Sequence, residues 1–257
     1  MPPQTGNRPG RTIRSVKIAF NIIEVLKDQN DVGVTELANE LGHSKSTIHS
    51  HLRTLEEIEI LVREGDGYRL SLQILDMANH VRDHAGNYEV VQNEVESLVE
   101  ETGEIAHFGI EEYGQVAYLC KATGEQAVET ASRVGTRQPM YSTSLGKAIL
   151  AYLPDSHQEA IVDTMEFVSK TPKTISSREE LYAELDRIAE QGYALDDEEN
   201  IEGLRCVAAP VRNGPKVLGA ISISGPSSRF TDERLHGELS DSVLRAANVI
   251  ELNTKFS

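Results

Sequence analysis

Apolar positions in the first seventy residues follow a helical period, and two short apolar runs come after them. The spacing over residues 13–26 predicts a first helix. We expect Thr35 to cap a short second helix that Gly42 ends, and Ser44 to cap a third. The residues between the two short runs, 63–67, have the glycine and aspartate content of a hairpin turn. This order of helix, helix, tight turn, helix and hairpin predicts a winged helix-turn-helix.

The pattern beyond residue 70 mixes helices and strands without strict alternation. Helical periodicity is found at residues 72–83, 88–101, 144–153, 155–165, 178–191 and 231–252. Strand-like apolar runs are found at residues 105–110, 115–120, 127–134, 204–211 and 217–224. Such a mixture predicts an α+β domain built on an antiparallel sheet.

These elements predict four segments along the 257 residues. Residues 1–10, with three Pro and two Gly, are expected to be a disordered tail, and residues 11–70 the winged helix-turn-helix domain. Residues 71–87 should form a linker helix, and residues 88–257 the second domain. No apolar run approaches the ~20 residues that cross a membrane, and the polar N-terminus has no secretory h-region. The sequence therefore predicts a cytoplasmic protein that does not contact membranes.

The formal net charge of −16 argues against nucleic-acid binding until it is divided along the chain. Residues 1–70 hold 9 basic and 10 acidic side chains, whereas residues 71–257 hold 16 basic and 31 acidic ones. Only 9 of the 25 basic residues are Lys, and an acidic chain with little Lys is what a salt-rich cytoplasm, such as that of a halophilic archaeon, would favour. The acidic side chains are concentrated outside the predicted winged helix-turn-helix.

The predicted third helix lies in a gap of negative charge, since no acidic residue occurs between Glu40 and Glu56. A recognition helix needs small or polar side chains at its N-terminal end, where it meets base edges in the major groove. The candidate DNA-contacting residues are Arg11, Arg14, Lys17, Thr35, Ser44, Lys45, Ser46, Thr47, His49, Ser50, Arg53 and Arg69. A plain three-helix packing unit, such as a dimerisation module, is the alternative. The charge gap and the basic residues before it favour double-stranded DNA as the partner.

The sequence resembles the IclR-type transcriptional regulators at these same residues. The N-terminal motifs are RSVK at 14–17, VTELA at 34–38, SKSTIH at 44–49, LRTLE at 52–56 and GYRL at 67–70. The C-terminal motifs are VGTRQPM at 134–140, SLGKA at 144–148, GYALDDEE at 192–199, GLRCVAAPV at 203–211 and GAISISGP at 219–226. The resemblance covers roughly residues 12–250. It implies a transcriptional regulator, not an enzyme, that works as a homodimer or homotetramer without a cofactor.

The resemblance further implies a GAF-like effector domain that binds a small metabolite, either an organic acid or a sugar-derived compound. Motif by motif, its pocket would use Ser144, Leu145, Asp196, Cys206, Ser222 and Ser224. Alternation with Ile221 and Ile223 independently places the two strand serines on one face. Simpler interpretations stay open, in which Cys206 is an inert buried thiol, Asp196 begins a solvated loop, and Lys147 is structural or faces solvent.

Two departures from the family pattern change the expectations. His49-Ser50-His51 stands where relatives usually carry an Arg, which leaves the operator sequence undetermined. Leu145 is bulkier than the residue that relatives often place before Gly-Lys, so we expect a smaller or reshaped pocket.

Two other classes of function share some of these residues. Ser144 and Lys147 have the Ser-x-x-Lys spacing of acyl-transfer enzymes, but the companion motifs each miss by one residue. A thiol hydrolase using Cys206 and His107 has no further support. A metal-responsive regulator could use His107, Cys120, Asp196 and Cys206, although none of these form a closely spaced pair such as Cys-x-x-Cys.

Overall fold

The computed structural model describes residues 12–29, 31–84, 88–128 and 130–255. These described residues fold as two compact units, one within residues 1–84 and the other within residues 85–257. The predicted tail and Arg11 lie outside the described residues. No described helix is both long enough and apolar enough to span a bilayer.

The first unit is a winged helix-turn-helix, as the periodicity predicts. Its elements are α1 (Arg14–Asp28), β1 (Val32–Gly33), α2 (Val34–Glu40), α3 (Lys45–Glu57), β2 (Leu61–Glu64), β3 (Gly67–Leu70) and α4 (Gln73–His84). The three strands form an antiparallel sheet in the order β1-β3-β2. Ile22 of α1, Leu37 of α2 and Ile48 and Leu52 of α3 are fully buried in one core, which fixes α3 against the other two helices.

Side-chain caps explain where α2 and α3 begin. The Ser44 hydroxyl accepts a hydrogen bond from the Thr47 amide at 3.1 Å, which confirms Ser44 as the cap of α3. The prediction that Thr35 caps α2 is wrong. Gly33 occupies the cap position, and its amide donates to the Glu36 carboxylate at 3.0 Å, so the helix already includes Thr35.

The second unit has a six-stranded antiparallel sheet covered by helices on both faces. Its helices are α5 (Tyr88–Thr102), α6 (Ser144–Leu150), α7 (Asp155–Thr164), α8 (Arg178–Gln191), α9 (Asp232–Leu235) and α10 (Glu238–Lys255). Its strands are β4 (Ile105–Glu112), β5 (Gln115–Thr123), β6 (Arg137–Pro139), β7 (Ala194–Asp197), β8 (Leu204–Asn213) and β9 (Lys216–Pro226). The strand order is β6-β5-β4-β9-β8-β7. One apolar core joins the sheet to α5 and α10, and a second joins it to α6 and α8.

Two predicted elements of this unit differ from the structure, and one strand was not predicted. Residues 127–134 do not form a strand within the described residues; the edge strand is β6, and Thr130 and Ser132 instead hydrogen-bond to each other at 2.8 Å in a loop. The predicted helix over 231–252 is two helices, because the chain breaks at His236 and Gly237 and glycine is a poor helix former. Strand β7 was not predicted, since one of its buried positions is an acid, Asp196.

Candidate nucleic-acid interface and effector pocket

The outward face of α3 carries the residues that the sequence singles out for DNA contact. Lys45, Ser46, His49, Ser50 and Arg53 are all exposed on it, and no acidic residue occurs in its first turn. The apolar face of the same helix is buried in the core, so the helix can present only its polar face to a duplex. This geometry suits insertion into a major groove.

The candidate DNA contacts at the start of α3 and outside it differ in whether their side chains are exposed or already hydrogen-bonded within the protein. Arg14, Lys17 and Thr35 are exposed. The hydroxyls of Ser44 and Thr47 lie 2.8 Å apart in the cap of α3. Arg69 is half-buried on β3, where its Nε donates to Glu64 at 2.8 Å and its Nη1 donates to a carbonyl at 3.2 Å.

Sequence reasoning missed one cation of the hairpin, the wing of this fold. Arg63 was assigned to the turn, but it lies in β2 and is exposed at the end of the strand. The turn is only Gly65 and Asp66. A basic residue beside such a turn lies near the tip of the wing. The sequence therefore contained a signal for Arg63 as a candidate phosphate contact.

All six effector residues predicted from the resemblance line one cavity of about 90 Å³ in the second unit. Strand pairing brings them together, because Asp196 of β7 lies opposite Cys206 of β8, which lies opposite Ser224 of β9. Ser144 and Leu145 come from the start of α6. Directly paired residues share a face of an antiparallel sheet, and this row therefore forms the floor of the cavity.

Several cavity residues were not predicted from the sequence. His107 of β4 lies opposite Ser222, and its Nε2 is 3.0 Å from the hydroxyl of Ser132 in the loop above. Tyr118 stacks on the His107 ring with 4.7 Å between centroids. The other unpredicted lining residues are Thr130, Ala131, Gln138, Thr143, Asn200, Ile201 and Leu204. Only the pairing of distant strands and the path of the loop bring these side chains together.

The ionisable groups of the cavity are shifted toward their neutral forms. Burial, with the nearby Glu199, raises the pKa of Asp196 to about 7, although its Oδ1 accepts amide hydrogen bonds from Glu199 at 2.7 Å and Asn200 at 3.2 Å. Burial and the charge of Lys121 lower the pKa of His107 to about 3. Burial and the neighbouring Asp196 raise the pKa of the Cys206 thiol. No Lys or Arg occurs among the described lining residues.

Lys147 lies behind the cavity and is structural, so the alternative that it faces solvent is wrong. It is 0% exposed, and its Nζ lies 2.5 Å from a Glu199 oxygen and 3.4 Å from a Glu184 oxygen. Burial raises the pKa of Glu199, and the Lys147 charge partly offsets this. The ion pairs engage the ammonium group of Lys147, which would have to act as the base in a Ser144 acyl transfer.

The four residues considered for a metal site are divided between the two faces of the sheet. A bulge between Phe108 and Gly109 makes Leu119 an extra residue in β5, so Cys120 packs with Phe108 in the core under α5 and α10. His107, Asp196 and Cys206 line the cavity on the other face. Over the part of the chain that the structure describes, no group of three or more His, Cys, Asp or Glu is arranged to hold a metal ion.

A winged helix-turn-helix whose third helix exposes polar and basic residues and begins with an acid-free turn, followed by a unit that encloses a polar cavity, defines a DNA-binding regulator with a ligand-sensing domain. Residues 15–65 match the IclR helix-turn-helix domain, and residues 80–252 match the C-terminal domain of bacterial IclR transcriptional regulators. The chain belongs to the IclR family of transcriptional regulators, which are not enzymes.

Individual relatives agree with this assignment over nearly the whole chain. A probable HTH-type transcriptional regulator, ArcR, from Halobacterium salinarum is 32% identical, with 98% of this chain and 97% of the relative covered. The crystal structure of Thermotoga maritima IclR has a TM-score of 0.81 at 30% identity and covers 95% of this chain and 99% of its own. The crystal structure of an IclR homologue from Microbacterium hydrocarbonoxydans, complexed with 4-hydroxybenzoate, has a TM-score of 0.80 at 20% identity and covers 95% of this chain and 100% of its own. At that identity the similarity supports the fold only.

Proposed function

We propose that this regulator binds operator DNA through α3 and its basic flank, and that a small polar metabolite in the cavity of the second unit changes that binding. The observation that carries the proposal is the single cavity that collects all six effector residues implied by the family motifs. The regulator acts in the cytoplasm as a homo-oligomer. Because the two ligands bind different units, their coupling is an allosteric one and must be reciprocal.

The DNA-binding surface consists of the exposed cations of α3 and α1. Lys45 and Arg53 on α3, with Arg14 and Lys17 on α1, supply exposed positive charge, and the first turn of α3 contains no acid. Phosphate contacts of this kind fix the position of a protein on the duplex, while side chains such as His49 read base edges. The acidic second unit would be repelled by the same phosphates, which confines the contact to the first unit.

The effector is a small hydroxylated organic acid or a sugar-derived metabolite. The cavity is much smaller than the ~300–1,000 Å³ that drug-sized ligands occupy. Its walls provide hydroxyls from Ser144, Ser222, Ser224 and Tyr118, which can donate to or accept from a polar ligand. Since no described cation lines the cavity, a carboxylate would be held by hydroxyl groups and by the protonated form of Asp196.

The exposed apolar residues of α4 support self-association. None of the described residues of this helix is buried, and Leu75, Met77 and Val81 are between 47% and 62% exposed. Leu72, just before the helix, is 76% exposed. Several exposed apolar side chains on one short helix favour an interaction site, and a second copy of the chain is the partner that a two-fold operator requires.

DNA binding is tested by fluorescence anisotropy of the full chain with the DNA upstream of its own start codon, over a range of salt concentrations. Arg53→Ala and Lys45→Ala should each weaken binding, and Lys45→Ala should lower the salt slope by about 1. Lys216→Ala removes an exposed charge of the second unit and should change nothing. Wild-type affinity in the Arg53→Ala protein would contradict the assignment of α3.

Effector binding is tested by a thermal-shift screen of small carboxylates, sugars and sugar acids, since a ligand stabilises the form that it binds. With a compound found in this way, Ser224→Ala should bind operator normally and respond weakly to the compound. Ser156→Ala, an exposed serine of α7, is the matched control. A full response in the Ser224→Ala protein would place the effector elsewhere.

A further inference from the structure

The last two turns of α4 carry two histidines that the DNA and effector sites do not use. His80 and His84 are four residues apart, which places them on the same face of a helix. Both are exposed, and their ring centroids lie 4.0 Å apart at an angle of 36°. The two imidazoles therefore already lie side by side.

A hydrogen bond sets the tautomer of the second ring. The Nδ1 of His84 lies 2.8 Å from the carbonyl oxygen of His80. A carbonyl only accepts hydrogen bonds, so in the neutral imidazole of His84 the proton is on Nδ1 and Nε2 presents a lone pair. Metal-ligating histidines have the same arrangement, in which the second ring nitrogen donates to a carbonyl or carboxylate.

We propose that His80 and His84 form a two-histidine site for a divalent transition metal, of the class Ni²⁺, Cu²⁺ or Zn²⁺, on the surface of α4. Histidines at i and i+4 are the pair with which helices bind zinc, and imidazole favours these ions over Mg²⁺ and Ca²⁺. Within the described residues no third His, Cys, Asp or Glu is placed to join the pair at one ion. Water completes the coordination sphere.

A bound metal would stabilise the end of α4. The helix has 12 residues and none of the described ones is buried within the chain, so little packing from its own unit adds to the weak intrinsic stability of a helix of this length. An ion that bridges successive turns binds only the helical form and so shifts the equilibrium toward it. The inference rests on α4 alone and is independent of the effector cavity.

The test is isothermal titration of the EDTA-treated, dialysed full chain with NiCl2 at neutral pH. The wild type should bind Ni²⁺ at a saturable site, and His80→Ala and His84→Ala should each weaken it on the order of 10–100-fold or more. Hydrogen exchange in residues 73–84 should slow on addition of Ni²⁺ to the wild type only. Both side chains are exposed, so circular dichroism should show unchanged folding in the variants.

Two controls separate this pair from other histidines. His157→Ala removes a half-exposed histidine of the second unit and should leave Ni²⁺ binding unchanged. The double variant Asn79→His/His84→Ala keeps the number of histidines but places two of them at i and i+1, which do not face each other, and should bind as weakly as His84→Ala. The proposal is overturned if the wild type binds no Ni²⁺, if the single variants bind it like the wild type, or if the relocated pair binds equally well.

Discussion

Replacement of the buried Lys147 by Met should strongly destabilise the second unit. Lys147 is 0% exposed and is the cation between the carboxylates of Glu199 and Glu184. Methionine preserves most of the side-chain volume but removes the charge, so the Glu199 carboxylate would remain buried without its ion-pair partner. Removal of one partner from a buried ion pair costs about 3–5 kcal/mol.

This cost corresponds to a large change in melting temperature. In a domain of 150–250 residues each kcal/mol lowers Tm by roughly 2–4 °C, so Lys147→Met should melt about 6–20 °C below the wild type at neutral pH. Differential scanning calorimetry of the full chain, with circular dichroism as a second probe, measures the difference.

The pH dependence of this deficit identifies its cause. Burial already raises the pKa of Glu199, and without Lys147 that pKa should rise further. A carboxyl group whose pKa is raised by folding destabilises the folded state at any pH above that raised pKa. The destabilisation decreases as the pH falls below the raised pKa toward the pKa of the unfolded chain. The deficit of Lys147→Met should therefore shrink as the pH is lowered from 8 toward 5.

A second variant separates charge from packing. Lys147→Met/Glu199→Gln removes both charges and should recover a large part of the lost stability. If Lys147→Met is as stable as the wild type at neutral pH, or if its deficit is the same at every pH, the reasoning from a buried ion pair is refuted.

Three further perturbations test the cavity. Asp196→Asn should flatten the dependence of stability on pH. The pKa of Asp196 is about 7 in the folded protein and ~3.9 in the unfolded chain, so between these values the wild type should lose up to about 1.4 kcal/mol per pH unit as the pH rises. Urea midpoints that change equally between pH 5 and 7 in both proteins would contradict this. His107→Gln should unfold at a lower pH than the wild type, because the lowered pKa of His107 costs the wild type stability as the pH falls below ~6.5. Equal acid-unfolding midpoints of the two proteins by circular dichroism would contradict this prediction. Gly146→Ala should lower stability by about 1–3 kcal/mol in urea titrations, because a Cβ there overlaps the Met140 backbone, and a neutral effect would show that α6 can move.

Local signals in the sequence predicted most of the first unit. The helical period predicted the extent of α1 to within two residues, Ser44 marked the start of α3, and Gly42, which has a φ of 65°, marked the end of α2. The error at Thr35 arose because two capping arrangements compete within a few residues. The carboxylate of Glu36 satisfies the Gly33 amide, and this choice depends on side-chain geometry rather than on residue type.

The second unit shows what a pattern along one strand can and cannot predict. Alternation placed Ser222 and Ser224 on one face, and the structure has both in the cavity. Alternation could not show that His107 lies opposite Ser222, since this depends on the register between β4 and β9, more than a hundred residues apart. It also missed β7, where burial falls on an acid.

By itself the sequence determined the class of the protein through its motifs. It also predicted most of the helices and strands, because capping, periodicity and turn chemistry act over a few neighbouring residues. Only the tertiary structure decided which charges are buried and which are neutral. Lys147 meets Glu184 and Glu199 across 37 and 52 residues of chain, and the pKa of Asp196 depends on the solvent that the folded sheet excludes. Desolvation and ion pairing depend on distances in space, and the folded chain sets those distances.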